Sequence, residues 1–483
     1  MPKLVIQSPT QGIAQSPHVG FADIRNLDIF HTPGAVRLNN LLAKKSATTV
    51  DALVKWIVRD PDTPANIFAL DSNGVLYKSA DNGATWAELS DRGGSGQGLA
   101  VKWGYVFVCE DTTIDVMKIS DDSWTDNWQT IDTDTLWHPM MVSDNDGKIY
   151  GGAGRYVFSI EELTTFVPGT PATFKFKQQA LDLPKNYRIK CLEELGNNLM
   201  IGTWVGTNIY DFKKAIIFPW NRSYPSFEQP IKLAENGINA MINIQNVLYV
   251  MAGIDGNIYR CDGYNAVQVA HIPHHIADLD GGKYLEPMPG SIMNHKGRLF
   301  FGLSGSAAID GCGIWSLVET ARVTVLNFEN TISTGNTGIL KQLQVGALLS
   351  VSRDELLASW RDDATFGIDK TTNTSRVTAY AGYFITPLYS VGTNKNQFKF
   401  TQLEFQLSKE FAANEGLKIE YRKNLSDSFV EVYTFDHATW STITSKNIVT
   451  ELPTDIKVTE NVQFKISLTG TTTTPHLISL ILQ

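Results

Sequence analysis

The chain has 483 residues and a formal net charge of -9, and charged residues make up 19% of it. This composition excludes a disordered chain and a coiled coil, and the length suffices for two or three domains. No basic run is longer than pairs such as Lys44-Lys45 and Lys213-Lys214, so tight phosphate or base-specific binding of nucleic acid is not expected.

Residues 1–50 are predicted to form an N-terminal arm, because prolines and glycines interrupt the segment throughout. Its candidate buried stripe consists of Phe21, Ile24, Leu27, Ile29 and Phe30. We expect the arm either to wrap the repeat region of its own chain or to reach a neighbouring subunit. The first residues lack the apolar core of a secretory signal, and no stretch approaches the roughly 20 apolar residues of a membrane span, so membrane insertion is not expected.

Residues 51–371 repeat a short phrase, an apolar–aromatic strand start led by Gly or Asn. The phrases begin at Asn66, Gly104, Gly147, Asn197, Asn246, Gly297 and, in degenerate form, Gly346. A period of about fifty residues that is filled with short strands is typical of a β-propeller. The phrases predict seven blades, and six or eight stay open because the first and last phrases are irregular. A second aliphatic–aromatic signal, as at Gly74–Tyr77 and Asn257–Tyr259, predicts a further strand in the same blade.

Residues 79–86 read Ser-Ala-Asp-Asn-Gly-Ala-Thr-Trp and resemble the Asp-box of sialidases and related propellers at every fixed position. Those positions are Ser79, Asp81, Gly83, Thr85 and Trp86. Asp81 can accept backbone hydrogen bonds in an Asx-turn, Gly83 can adopt positive φ, and Trp86 can pack the turn onto its blade. In the resembling proteins the box lies away from the active site, which predicts a structural role here.

Residues 376–483 are predicted to form a β-sandwich, because longer alternating strands replace the repeated phrase. The run Phe398–Leu407 changes phase, since Phe398 and Phe400 share one face while Leu403 and Phe405 fall on the other. A β-bulge near residues 401–402 would restore a common face. The predicted fold is therefore all-β: an arm at 1–50, a propeller at 51–371 and a sandwich at 376–483.

Residues that could carry chemistry do not form a known pattern. His271–His275, with Asp278 and Asp280, has metal-ligand residue types, but the spacing matches no closed zinc pattern. Asp144 opens a fragment of a calcium loop in which Arg155 takes the twelfth position, where Glu is required. A sialidase-like enzyme would need converging arginines and a Tyr nucleophile with its Glu, whereas the arginines of the repeat region are dispersed. We expect no catalytic residue, no metal and no cofactor, and hence no enzyme.

The four cysteines are scattered and form no CxxC pair: Cys109, Cys191, Cys261 and Cys312. This pattern predicts free thiols in a chain that folds in a reducing compartment.

Two regions resemble structural proteins of tailed-phage virions, especially the tail nozzle or tubular tail proteins of short-tailed phages. One is the Pro- and Gly-punctuated arm, Gln11–Val36. The other is the end of the chain, Val462–Leu468 followed by Thr474–Leu480. The resemblance implies a ring at the end of a tail, assembled in the host cytoplasm and found in the virion. Such a ring holds other tail proteins and conducts DNA, and a net acidic chain would let phosphate slide past its lining.

The sequence therefore predicts a non-enzymatic structural protein of a phage virion, a homo-oligomeric ring that acts as a tail nozzle, hub or adaptor. Heterologous interfaces that close by rotation would build such a ring. A first alternative is a glycan-binding or glycan-hydrolysing propeller, and a second is a scaffold propeller that binds peptides.

Overall fold

The computed structural model describes residues 4–7, 12–13, 20–32, 34–45, 50–91, 93–131, 137–163, 174–204, 215–273, 284–319, 324–332, 342–377, 381–390, 398–437, 446–458 and 460–483. The chain divides into two compact units. The first consists of Met1–Leu42, Ile314–Thr331 and Thr371–Gln483, and the second of Ala43–Gly313 and Ile332–Lys370. Among the described residues no helix is long and apolar enough to cross a membrane.

The N-terminal region supplies five strands. They are β1 (Leu4–Gln7), β2 (Asp23–Arg25), β3 (Leu27–Thr32), β4 (Ala35–Leu38) and β5 (Asn40–Lys44). The predicted buried stripe is confirmed for Phe21, Ile24, Leu27 and Ile29, each at most 9% exposed, whereas Phe30 is half-buried.

Five sheets of the second unit are four-stranded antiparallel meanders, in which strands that are consecutive in the chain pair with one another. Blade 1 consists of β6 (Val54–Arg59), β7 (Ile67–Asp71), β8 (Val75–Ser79) and β9 (Ala87–Asp91). Blade 2 consists of β10 (Gly98–Lys102), β11 (Tyr105–Cys109), β12 (Thr113–Lys118) and β13 (Ser123–Thr130). Blade 3 consists of β14 (Met140–Val142), β15 (Ile149–Ala153), β16 (Tyr156–Glu162) and β17 (Phe174–Asp182). Blade 4 consists of β18 (Arg188–Leu195), β19 (Asn198–Trp204), β20 (Ala215–Trp220) and β21 (Ile231–Leu233). Blade 5 consists of β22 (Ile238–Ile244), β23 (Val247–Ala252), β24 (Asn257–Cys261) and β25 (Ala266–His271).

Further strands follow blade 5 along the chain. They are β26 (Leu285–Glu286), β27 (Ile292–His295), β28 (Arg298–Gly305), β29 (Gly313–Glu319), β30 (Thr324–Asn330), β31 (Leu343–Ser350), β32 (Leu356–Asp362) and β33 (Thr365–Arg376). β26 and β27 each pair with β28. The sheet β31-β32-β33-β5, here named the closing blade, takes its fourth strand from the N-terminal side of the repeats. At this junction the Lys45 amide donates to the Ile368 carbonyl at 2.8 Å.

The first strands of the sheets form a closed ring. β6 contacts β10, β10 contacts β14, β14 contacts β18, and β18 contacts β22. β27 contacts both β22 and β31, and β31 contacts β6. These strands surround one axis, as inner strands of a β-propeller do. In its described residues, the second unit is thus an all-β propeller with six four-stranded blades.

The apolar cores of the propeller lie between neighbouring blades. Phe107 of blade 2 belongs to the same buried cluster as Phe158 and Phe174 of blade 3. Tyr77 and Trp86 of blade 1 likewise share a cluster with Leu357 of the closing blade. Each blade is therefore stabilised by the next, because a single four-stranded sheet cannot cover both of its faces.

The repeated phrase marks the second strand of a sheet in all copies but the last. From Asn66 to Gly297, each phrase leads into β7, β11, β15, β19, β23 or β28. The degenerate phrase at Gly346 instead lies in the inner strand β31, where the register shifts between Val345 and Leu348. There a Cβ on residue 346 would lie 2.0 Å from the Val54 carbonyl oxygen, so glycine is required by the close approach of two strands.

The first unit contains two sheets completed by C-terminal strands. These strands are β34 (Gly382–Ile385), β35 (Tyr389–Ser390), β36 (Phe398–Leu407), β37 (Gly416–Arg422), β38 (Val430–Asp436), β39 (Asn447–Val458), β40 (Asn461–Thr469) and β41 (Leu477–Leu482). One sheet has the order β3-β4-β41-β36-β39, with β1 also on β41. The other has the order β29-β30-β2-β34-β40-β37-β38, with β35 on β40.

The bulge predicted near residues 401–402 is confirmed, since the register of β36 shifts between Phe400 and Gln402. It brings Phe400, Leu403 and Phe405 to buried positions. The Phe405 ring lies 5.0 Å from that of Phe435 on β38, which belongs to the other sheet of this unit.

The two units differ from the predicted segments 1–50, 51–371 and 376–483. The described residues of the arm up to Leu42 belong to the unit that holds the C-terminal strands, with β1 paired to β41. The Leu38 amide also donates to the Thr474 hydroxyl at 2.7 Å. Residues 314–331 join the same unit, and β2 pairs in parallel with β30. Such pairings between distant parts of the chain leave no local signal in the sequence.

Candidate functional site

The hairpin at residues 79–86 is organised around one carboxylate. Asp81 Oδ1 accepts hydrogen bonds from the Ser79 hydroxyl at 2.8 Å and from the Ala84 and Thr85 amides at 2.9 and 2.8 Å. Asp81 Oδ2 accepts from the Thr85 hydroxyl at 2.6 Å. Desolvation acts to raise the pKa of Asp81, but the hydrogen bonds from Thr85, Ser79 and Ala84 outweigh it and lower the pKa to about 2.

The other predicted residues of the hairpin fix its backbone and its packing. Gly83 has φ of 80°, and its amide donates to the Ser79 hydroxyl at 2.8 Å. A Cβ at Gly83 would lie 2.7 Å from both methyl carbons of Leu357 in the closing blade. Trp86 is buried in the cluster shared with that blade. The arrangement joins a turn of blade 1 to its neighbour, the closing blade.

A second group of polar residues meets where the inner strands begin, and we name it the axial cluster. It consists of Lys55, Gln97, Trp137, Lys190, Asn239 and Glu286. The Lys55 Nζ lies 5.2 Å, and the Lys190 Nζ 5.7 Å, from the centroid of the Trp137 ring. Trp137 leads into blade 3, whereas the lysines come from blades 1 and 4. Because blades 1 and 3 are not neighbours in the ring, this contact lies close to the propeller axis.

Polar side chains hold both lysines in place. The Lys190 Nζ donates to Asn239 Oδ1 at 2.9 Å and lies 3.8 Å from Glu286 Oε2. The Lys55 Nζ lies 3.5 Å from Gln97 Oε1. Burial lowers the pKa of Lys55, although the carboxylates of Asp111 and Asp71 act in the opposite direction. The cluster thus presents two cations with nearby counter-charges at the beginning of the inner strands.

β-Bulges aim three of these side chains. The register of the innermost pair shifts around Lys55, around Lys190 and around Asn239. A bulged residue leaves the alternation of its strand, so a polar side chain can turn away from the apolar core between blades. The sequence predictions did not include this cluster. The sequence did contain a pattern that could have indicated it. A polar residue stands seven residues before three of the repeated phrases, at Gln97, Lys190 and Asn239.

Several carboxylates of the propeller accept hydrogen bonds from tyrosine hydroxyls. The Tyr150 hydroxyl donates to Asp146 at 2.6 Å, and the Tyr259 hydroxyl donates to Glu235 at 2.6 Å. Tyr259 with Glu235 is the residue pair that a sialidase-like enzyme would need. Burial and the neighbouring carboxylate both raise the pKa of Tyr259, which is the reverse of what activates a nucleophile. These pairs hold loops against strands.

Of the predicted histidine segment, the structure describes residues 271–273. There His271 Nδ1 lies 3.1 Å from Asn257 Oδ1. His274, His275, Asp278 and Asp280 lie outside the described residues. All four cysteines carry free thiols, and Cys109, Cys191 and Cys261 are buried.

Comparison with known proteins gives no family for the chain. No protein-family model matches it, and no curated protein matches its sequence. Among solved structures, YCF48 bound to D1 peptide shares 10% identity at a TM-score of 0.44, covering 72% of this chain and 97% of that one. The extracellular domain of the putative hybrid two component system BT4673 from B. thetaiotaomicron shares 11% identity at a TM-score of 0.47, covering 82% of this chain and 47% of that one. The Myceliophteria thermophila Cps50 (Swd1) β-propeller domain shares 10% identity at a TM-score of 0.46, covering 69% of this chain and 100% of that one. All three TM-scores lie below 0.5, and the evidence for the propeller is the strand pairing within the chain.

Proposed function

We propose that the chain is a structural component of a phage virion that forms a homo-oligomeric ring in the tail. The observation that supports ring formation is an uncharged, exposed edge strand on blade 5. β25 pairs with β24 on one side and is the outer strand of its sheet. An edge strand of this kind is a template for pairing with another chain.

The composition of β25 sets it apart from the other outer strands. Its sequence is Ala-Val-Gln-Val-Ala-His, without a charged residue. Every other outer strand of the six described four-stranded blades carries at least one charge: β5, β9, β13, β17 and β21. Val267 on β25 is 61% exposed, and Tyr264 in the preceding turn is 81% exposed. Charges on an edge normally oppose strand addition, so this edge is the one best suited to an intermolecular contact.

The first unit offers a second surface with apolar side chains on its edges. Val430 lies on the edge strand β38, Val449 lies on the edge strand β39, and both are exposed. We propose that this surface of one copy meets the β25 edge of the next copy. Two different patches make a heterologous interface, which closes into a ring when the rotation between copies permits it.

The proposal also covers two features of the fold, a seventh blade and a sandwich. We propose that β27 and β28 are the inner strands of a seventh blade, because β27 contacts both β22 and β31. We also propose that the two sheets of the first unit form a sandwich, supported by the contact of Phe405 with Phe435.

The test is the oligomeric state of the full chain by size-exclusion chromatography with light scattering. We expect a discrete oligomer for the wild type and a shift to monomer for Val267→Lys, which places a charge on the β25 edge. Thr130→Lys is the matched control, because Thr130 is an exposed residue of the outer strand β13. A monomeric wild type, or equal behaviour of the two variants, would refute the β25 interface.

The assignment to a phage tail has a separate test. We expect genes for portal, capsid or fibre proteins beside the gene for this chain, and the chain itself in purified particles by mass spectrometry. A gene surrounded by functions of cellular metabolism would contradict this part of the proposal while leaving the oligomer intact.

A further inference from the structure

The two lysines of the axial cluster converge on one indole. Their Nζ atoms lie 5.2 Å and 5.7 Å from the centroid of Trp137, so their separation cannot exceed the sum of these two distances. A small ligand with acceptor oxygens at both of its ends can span a separation of this size and contact both ammonium groups. The lysines belong to blades 1 and 4, which fixes this spacing by the ring rather than by a flexible loop.

Most of the donor capacity of these lysines is not used by the described residues. An ammonium group carries three N–H donors. Lys190 makes a hydrogen bond of ordinary length to Asn239, while its 3.8 Å contact with Glu286 is too long for one. The contact of Lys55 with Gln97 lies at the 3.5 Å limit. A partly desolvated ammonium gains by taking an acceptor with negative charge.

The surrounding amides are held in fixed positions. Gln97 is 3% exposed and Asn239 is 6% exposed. The Asn239 amide nitrogen donates to the Gly253 carbonyl at 2.7 Å, which leaves its oxygen directed at Lys190. Glu286 is half-buried, with 36% of its side chain in solvent, so an incoming anion can displace it from Lys190.

We propose that the axial cluster is a binding site for a small carboxylate. Lys55 and Lys190 donate to oxygens at different ends of this ligand, and the oxygen at Lys190 replaces the Glu286 contact. The Trp137 ring lies beside both ammonium groups. The proposal does not depend on ring formation, since every residue of the site belongs to one chain. A carboxylate of this kind could be a free organic acid, a sugar acid or the C-terminus of a peptide, which share one recognised group.

The test is isothermal titration calorimetry of the full chain with succinate, glucuronate and N-acetylalanine as probes. Lys55→Met and Lys190→Met should each weaken binding about tenfold or more, because each removes a charge-assisted hydrogen bond. Lys232→Met is the matched control, since Lys232 is exposed on the outer strand β21 of blade 4, and it should bind as the wild type does. The probe bound most tightly identifies the source of the carboxylate.

Two further variants separate a lost contact from a lost fold. Lys55→Arg and Lys190→Arg keep a cationic donor and should retain measurable binding, and thermal unfolding reports whether each variant is folded. The proposal is overturned if the wild type binds none of the probes. It is also overturned if folded Lys55→Met and Lys190→Met bind as tightly as Lys232→Met.

Discussion

The hairpin at residues 79–86 shows how a few residues can determine a local structure. Ser79, Ala84 and Thr85 all donate to Asp81, so the donors and the acceptor lie within seven consecutive residues. Such a network forms without help from distant strands, and the residue types alone predict it. Its packing partner Leu357, in contrast, is brought there by the ring.

Replacing Asp81 should destabilise the protein through lost hydrogen bonds. Asp81→Ala removes the acceptor for Ser79, Ala84 and Thr85, and we expect a loss of about 1 kcal/mol, measured by urea unfolding at neutral pH. Asp81→Asn, which keeps one acceptor oxygen, should lose less. An equal loss in both variants would mean that a single remaining acceptor oxygen does not stabilise the turn.

Asp81 should also make the free energy of unfolding depend on pH. The pKa of Asp81 in the folded protein, about 2, lies below its ordinary value of 3.8. A lowered pKa means that the carboxylate stabilises the fold above pH 3.8 and that this contribution is lost as the pH falls towards 2. The difference in unfolding free energy between wild type and Asp81→Asn should therefore shrink over this interval. A constant difference would contradict the assignment.

Substitutions at two glycines with nearly the same φ distinguish the cost of backbone strain from the cost of a steric clash. Gly83 and Gly104 have φ of 80° and 76°, but a Cβ would strike Leu357 only at Gly83, whereas nothing lies within 4 Å of it at Gly104. Gly104→Ala should cost about 1 kcal/mol for the left-handed backbone, and Gly83→Ala should cost more. Equal losses in thermal unfolding would show that Leu357 moves aside without cost.

At the scale of elements, a buried polar network connects blades 3 and 4. Glu194 on β18 accepts from Ser143, beside β14 of blade 3, at 2.6 Å and is paired with Arg222. Burial acts to raise the pKa of Glu194, but the hydrogen bonds from Ser143 and Arg222 outweigh it and lower the pKa. The network therefore stabilises the contact between blades 3 and 4 while Glu194 is ionised.

Removing one partner of this network should be strongly destabilising. Arg222→Met leaves the Glu194 carboxylate without its counter-charge, and we expect a loss of about 3 kcal/mol in urea unfolding. The double variant with Glu194→Gln should lose less than the sum of the single variants, because the two side chains interact directly. Additive losses would show that the pair contributes no coupling.

At the scale of the whole molecule, ring formation should make stability depend on concentration. Association stabilises the folded protein by mass action, so the Tm of the wild type should rise with protein concentration. Val267→Lys should remove this dependence, and Thr130→Lys should keep it. A Tm independent of concentration in all three proteins would contradict an oligomer at the concentrations used.

The sequence by itself determined the repeat, the local turns and the bulge in β36. These features depend on neighbouring residues: the phrase marks the second strand of most sheets, and the alternation of Phe400, Leu403 and Phe405 requires a shift in register. The seven-blade count and the sandwich stay predictions. The pairing of β1 with β41, the parallel pairing of β2 with β30 and the meeting of Lys55, Trp137 and Lys190 were decided by tertiary structure. They join residues far apart in the chain, and neither strand periodicity nor turn chemistry carries information about which distant strands come together.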